Sequence, residues 1–178
     1  MLEQRLPASV QRSRRPAGSH PGAWTVLYDA ECGFCIWILS GLLRWDRAGR
    51  LRPRALAGAE ADSLLADLQT AERMASWHLI SPAGRRRTGG AAVVQVLRLL
   101  PSGRMPAAVL ARFPGFTEGV YRWVADHRSQ LSRLAPAAAK RNAAGRVQGR
   151  IDQETTADVS PGCNLSGDAE TPAVHGRL

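Results

Sequence analysis

An α/β domain, a central sheet flanked by helices with an extended helical C-terminal part, is predicted by three features of the sequence. A short β-branched and aromatic run, Trp24-Thr25-Val26-Leu27-Tyr28, passes through a turn straight into a strongly apolar helical segment from Cys32. Extended and helical patterns then alternate as far as the glycine pair Gly89-Gly90. Beyond that pair the periodicity is helical alone, giving the order β-α-β-α-β(β)-α-α. A chain of 178 residues, 44% of them apolar, holds one such domain comfortably, since domains run to about 100–200 residues.

Residues 1–23 carry Pro7, Pro16, Pro21, Gly18 and Gly22 without any sustained period, a composition that cannot bury enough surface to order itself; they are expected to be a disordered leader. The domain is expected over residues 24–134. Trp24 to Tyr28 forms its first strand, and Asp29 to Gly33 the turn after it. Cys35, Leu39, Leu42 and Leu43 recur at helical spacing, and Ile36, Trp37 and Ile38 make the helix apolar on most sides until about Arg47, ahead of Gly49. Leu51 to Leu56 reads as a second strand, with Pro53 placing it at an edge because proline donates nothing to the ladder.

Leu64, Leu65 and Leu68 share one face of a helix expected over Ala59 to about Glu72. Ser76 to Ser81 reads as a third strand, Pro82-Ala83-Gly84 as a turn, and Arg85 to Thr88 as a short returning strand. Three helices follow: Ala91 to Leu100, stopped at Pro101; Pro106 to Phe113, with proline at its start; and Gly115 to Leu134, with Val120, Val124, His127, Leu131 and Leu134 on one stripe. Residues 135–178 turn to Ala, Gly, Asp, Glu and Thr without a large apolar repeat and are expected to be a disordered tail.

The formal net charge is +9, and arginine supplies nearly all the positive charge, Lys140 being the single lysine. The arginines are scattered through tails, turns and helix flanks with no interleaved aromatics, so nucleic-acid binding is not expected. The longest apolar runs, Ile36 to Leu43 and Ala91 to Leu97, are stopped by Arg44 and Arg98 well short of a membrane span of about 18–20 residues, and no membrane partner is expected. Arg5, Arg12, Arg14 and Arg15 precede no apolar stretch, which leaves the cytoplasm as the default compartment.

Chemistry is concentrated at Cys32-Gly33-Phe34-Cys35. Two thiols one helical turn apart, directly after a strand and at the opening of a helix, are spaced to form a disulfide. The helix start, with its unpaired N–H groups, favours an anion at Cys32; Cys35, a turn inside, is shielded. The asymmetry makes Cys32 the group that attacks a substrate disulfide and Cys35 the group that resolves the mixed disulfide. Asp29 either caps the helix or exchanges the proton of Cys35, while Glu31 reads as an exposed turn residue. Rival readings of the pair are half a zinc site, a structural disulfide and two buried core thiols. Zinc needs two further ligands, and Cys163, His20, His78, His127 and His175 form no second close pair. Haem attachment is excluded because Ile36 follows Cys35. No metal and no organic cofactor are expected.

The stretch Asp29-Ala30-Glu31-Cys32-Gly33-Phe34-Cys35, preceded by Val26-Leu27-Tyr28, resembles the DCC family of small bacterial thiol-disulfide oxidoreductases, named for a D-x-x-C-x-x-C motif. The similarity continues at Gly89 to Ala92, Leu99 to Pro101, Phe113-Pro114-Gly115 and Tyr121 to Arg128, covering Trp24 to Leu134. It implies a thioredoxin-like domain with Cys32 and Cys35 as redox centre. Ala30 stands where the family usually has glycine, and Asp126-His127 where it tends to be more basic or polar. No proline directly precedes a strand where thioredoxins keep a cis-proline, so substrate binding is expected to differ from thioredoxin's.

The function expected is therefore dithiol-disulfide exchange with a disulfide-containing protein or a low-molecular-weight thiol. The alternative is a binding or adaptor module that keeps the scaffold with an idle cysteine pair. Packing accounts for Trp77 and His78 on a central strand, and Tyr121 with Arg128, seven apart, are expected to anchor the last helix to the sheet. Gly89 and Gly90 suggest a turn into a helix start able to hold an anion. Oligomeric state leaves no mark on the sequence.

Overall fold

The computed structural model describes residues 22–134 and 136–159. All of the expected leader except Gly22 and Ala23, and the tail beyond 159 with Cys163, lie outside the described residues. Four strands form one sheet in the order β2-β1-β3-β4: β1 (Trp24–Tyr28), β2 (Leu51–Ala55), β3 (His78–Ile80) and β4 (Arg86–Thr88). The helix α1 (Gly33–Trp45) carries the chain from β1 over to β2, which makes those two strands parallel; β3 and β4 join antiparallel as a hairpin. Pro53 faces Val26 from the edge strand, where its missing donor breaks no second ladder. This mixed sheet flanked by helices is a thioredoxin-like arrangement.

Alternation along the strands divides the core. Val26, Tyr28 and Leu79 turn to one face, where Leu39 of α1 and Ala92 and Val96 of α4 (Gly89–Leu99) pack on them. Leu27 and Ile80 turn to the other, against Leu56, Ala61, Leu64 and Leu65.

Several helices differ from their sequence patterns. The segment after β2 is two short helices, α2 (Ala59–Leu64) and α3 (Thr70–Ala75). Leu65 leaves the helix at φ −117, and Gln69 with Glu72 forms a capping box that starts the next. Helix α4 begins at Gly89 rather than Ala91, and α5 (Arg104–Arg112) starts ahead of Pro106. The last predicted helix is also divided, into α6 (Pro114–Asp126) and α7 (Arg128–Leu134). His127 caps α6: its backbone N–H and its ring Nδ1 both engage the Trp123 carbonyl, which ends the stripe the periodicity had drawn through it.

The largest correction concerns the expected tail. Residues Ala137–Val159 form a helix, α8, that lies along α1 and β2. Among the described residues its buried stripe is Ala143 and Val147, with Ile151 partly covered. Polar pairs supply the rest: Arg146 Nε donates to Ser40 Oγ at 2.8 Å, Arg150 Nη2 to the fully buried Asp46 at 3.0 Å, and Glu154 takes Arg52 at 3.3 Å and Arg54 at 2.9 Å.

Candidate active site

Between β1 and α1 the chain turns at Asp29. Its carboxylate accepts the Glu31 N–H at 2.9 Å, and its carbonyl accepts the Cys32 N–H at 3.3 Å. Asp29 therefore shapes the turn and does not cap the helix. The cap is Cys32 itself, in extended conformation, its Sγ accepting the Cys35 N–H at 3.3 Å. A sulfur thus occupies the place where helices usually put a hydroxyl or carboxylate. Glu31 is exposed, as expected of a turn residue.

The two thiols are not equivalent. Cys32 is half-buried, whereas Cys35 is 6% exposed. Burial, followed by the hydrogen bond to Cys32 and that sulfur's charge, pushes the Cys35 thiol up to about 12; a hydrogen bond from the Trp77 side chain and the charge of Arg128 pull the other way. Cys35 is held as a thiol behind the more accessible Cys32.

Three residues read from sequence as structural stand around Cys35. Trp77 lies just before β3 rather than on it, and shares the lining of one cleft with Cys35. Its backbone N–H donates to Tyr121 Oη at 2.8 Å. Arg128 donates to the Met74 carbonyl at 3.3 Å and sits 3.9 Å from Asp29. Tyr121 and Arg128 do anchor the helical layer to the segment entering β3, and in doing so they ring the buried thiol. His78, by contrast, is plain core: 2% exposed, its Nε2 bonded to the Arg73 carbonyl.

Gly33, inside the motif, permits a close approach from the far end of the chain. A Cβ there would lie 3.1 Å from Lys140 Cδ, and Lys140 Nζ donates to the Ser132 carbonyl at 2.7 Å. The single lysine thus lies over the motif. The glycine pair Gly89-Gly90 has a similar logic with an internal partner: the Glu118 carboxylate accepts the Gly90 N–H at 2.8 Å, so the anion expected at this helix start is a side chain of α6.

Beside Cys35 an apolar cleft of about 280 Å³ opens between α1 and α6, with Phe34, Ile38, Phe116, Val120 and Val124 in its walls and Arg128 at its side. Among the described residues no three His, Cys, Asp or Glu side chains converge as metal ligands, and no helix is long and apolar enough to cross a membrane.

The sequence model of the DCC1-like thiol-disulfide oxidoreductase family matches residues 26–134, a span that contains both cysteines, Asp29, Trp77, Tyr121 and Arg128. The chain belongs to this family. No curated protein and no solved structure matches it. The chemistry of a DCC1-like protein is of the thiol-disulfide oxidoreductase class, and its Cys32 and Cys35 have the C-x-x-C spacing that such exchange uses. The matched span stops short of α8, the helix that brings Lys140 over the DCC1-like motif.

Proposed function

We propose that the protein reduces or forms disulfides through a Cys32–Cys35 couple. In the reducing direction the Cys32 thiolate attacks one sulfur of a substrate disulfide; a Cys32–substrate disulfide forms and the other substrate thiolate leaves. Cys35, losing its proton, then attacks Cys32 Sγ, forming the Cys32–Cys35 disulfide and releasing the second substrate thiol. Two electrons pass from the protein dithiol to the substrate. Other thiols restore the dithiol, and we place the cycle in the cytoplasm, with a disulfide-containing protein or a small thiol as partner and no bound cofactor.

The observation that supports this reading is the asymmetry of the pair: Cys32 is accessible at the helix start, and Cys35 is buried behind it with a thiol that holds its proton. We assign Asp29 the proton exchange with Cys35, directly or through one water, because Arg128 neighbours both groups.

Alkylation of reduced protein, mapped by peptide mass spectrometry beside Cys32→Ser and Cys35→Ser, tests the proposal. Preferential labelling of Cys32 and a reversible Cys32–Cys35 disulfide under mild oxidant are expected. No disulfide, with both thiols inert, would instead leave an adaptor module with an idle pair.

A further inference from the structure

Resting on the dithiol reading above, we infer that the cleft beside Cys35 selects the substrate: it takes a large apolar side chain adjoining the substrate's cysteine, with an acidic group next to it meeting Arg128. The occupant is thus an extended polypeptide segment of a disulfide-containing protein rather than a small thiol.

Continuity with the reacting sulfurs fixes where the occupant lies. Cys35 forms part of the cleft wall, and its backbone N–H donates to Cys32 Sγ at 3.3 Å. A substrate joined to Cys32 therefore holds its neighbouring residue over the cleft. At about 280 Å³ the space lies just below the range of about 300–1,000 Å³ usual for whole small-molecule ligands, and suits a single anchoring side chain.

The walls are already exposed in the free protein, with Phe116 69%, Val120 46% and Ile38 36% accessible, so apolar area is waiting to be covered. On α6 this surface runs on past the cleft to Trp123, 57% accessible, farther than a small thiol reaches and in keeping with a chain laid along the helix.

Charge supplies the second half of the selection. Arg128 is 36% exposed, and its partners among the described residues are one carbonyl at 3.3 Å and a carboxylate at 3.9 Å. Most of its fork of N–H donors is open to a further carboxylate. The overall charge of +9 has the same sign.

The test uses the reduced full chain and three disulfide peptides with one common leaving thiol, their cysteine flanked by Trp and Glu, by Ala and Glu, or by Trp and Lys. Bis(2-hydroxyethyl) disulfide is the small reference. The Trp/Glu peptide should react roughly tenfold faster than either of the others. Val120→Ser and Phe116→Ser, both at exposed positions, should collapse the Trp-over-Ala ratio towards one, and Arg128→Gln the Glu-over-Lys ratio. Equal rates for all three peptides, with the small disulfide still reduced, would overturn the cleft proposal and leave the dithiol reading standing. Failure to reduce any of the four disulfides would overturn both.

Discussion

The backbone N–H of Trp77 donates to the phenol oxygen of Tyr121 at 2.8 Å, across 44 residues of sequence, and so joins the entry to β3 with the middle of α6 at the wall of the Cys35 site. Both residues line the same cleft as Cys35. Replacing Tyr121 by Phe removes the acceptor and leaves a part-buried N–H unpaired. The expected cost is about 1 kcal/mol, which for a chain of this size lowers Tm by about 2–4 °C. Differential scanning calorimetry checks it; an unchanged Tm would mean that water replaces the phenol at no cost.

Alkaline pH should weaken the reduced protein. In the unfolded chain the Cys35 thiol ionises around its ordinary 9.0, whereas in the folded protein it keeps its proton to about 12. Below the first value both states are protonated and the contribution is intact. Between the two values only the unfolded chain releases the proton, so stability falls as pH rises through that window. Burial also pushes the phenols of Tyr28 and Tyr121 up from 10.0, which acts in the same direction. Urea midpoints should decline from about pH 8 to about pH 11, and less steeply in Cys35→Ala. An identical slope in that variant would exclude Cys35 as a source.

Helices α4 and α6 meet at Gly90, where a Cβ would lie 3.0 Å from the Glu118 backbone nitrogen and 3.1 Å from its Cα. Backbone cannot swing aside as a side-chain end can. Gly90→Ala should destabilise by about 2 kcal/mol despite the better helix former. Gly119→Ala, on the same α6 but in open space, should be neutral or stabilising by about 0.5–1 kcal/mol. Chemical denaturation of the pair separates crowding from propensity.

Asp46 is fully buried and receives Arg150 from α8 as well as the N–H groups of Arg50 and Leu51, at 3.0 and 2.8 Å. Arg150→Met leaves that carboxylate its two backbone donors but no counter-charge. A loss of about 2 kcal/mol is expected, under the range for a wholly buried pair because Arg150 keeps some exposure. Trypsin should then cut sooner at Lys140 and Arg141; unaltered digestion would show that α8 is held without this pair.

The strand, the turn and the thiol pair were legible because each is local: a β-branched run, a C-x-x-C, an apolar helix with its stop. The edge position of Pro53 followed from one missing N–H. What could not be read is what depends on distant partners. The stripe Ala143, Val147, Ile151 has regular four-residue spacing, but one of its three members is an alanine, too little apolar surface to mark a helix by periodicity alone. Its anchors, Ser40, Asp46, Arg52 and Arg54, stand about a hundred residues earlier, beyond the reach of any periodicity. Trp77 and Tyr121 looked like ordinary core for the same reason: only the fold shows that they share Cys35. The break at His127 came from a ring bonding its own helix's carbonyl, which apolar spacing does not record.

The anchoring of α8 orders events during synthesis. Strand β1 and the Cys32–Cys35 helix leave the ribosome first, yet Lys140 and the partners of Ser40 and Asp46 follow only about a hundred residues later. At about 5–20 residues per second the Cys32–Cys35 helix waits several seconds for the partners of Ser40 and Asp46. During that interval Asp46 has its two backbone donors but not the counter-charge of Arg150, and the arrival of α8 completes the pair.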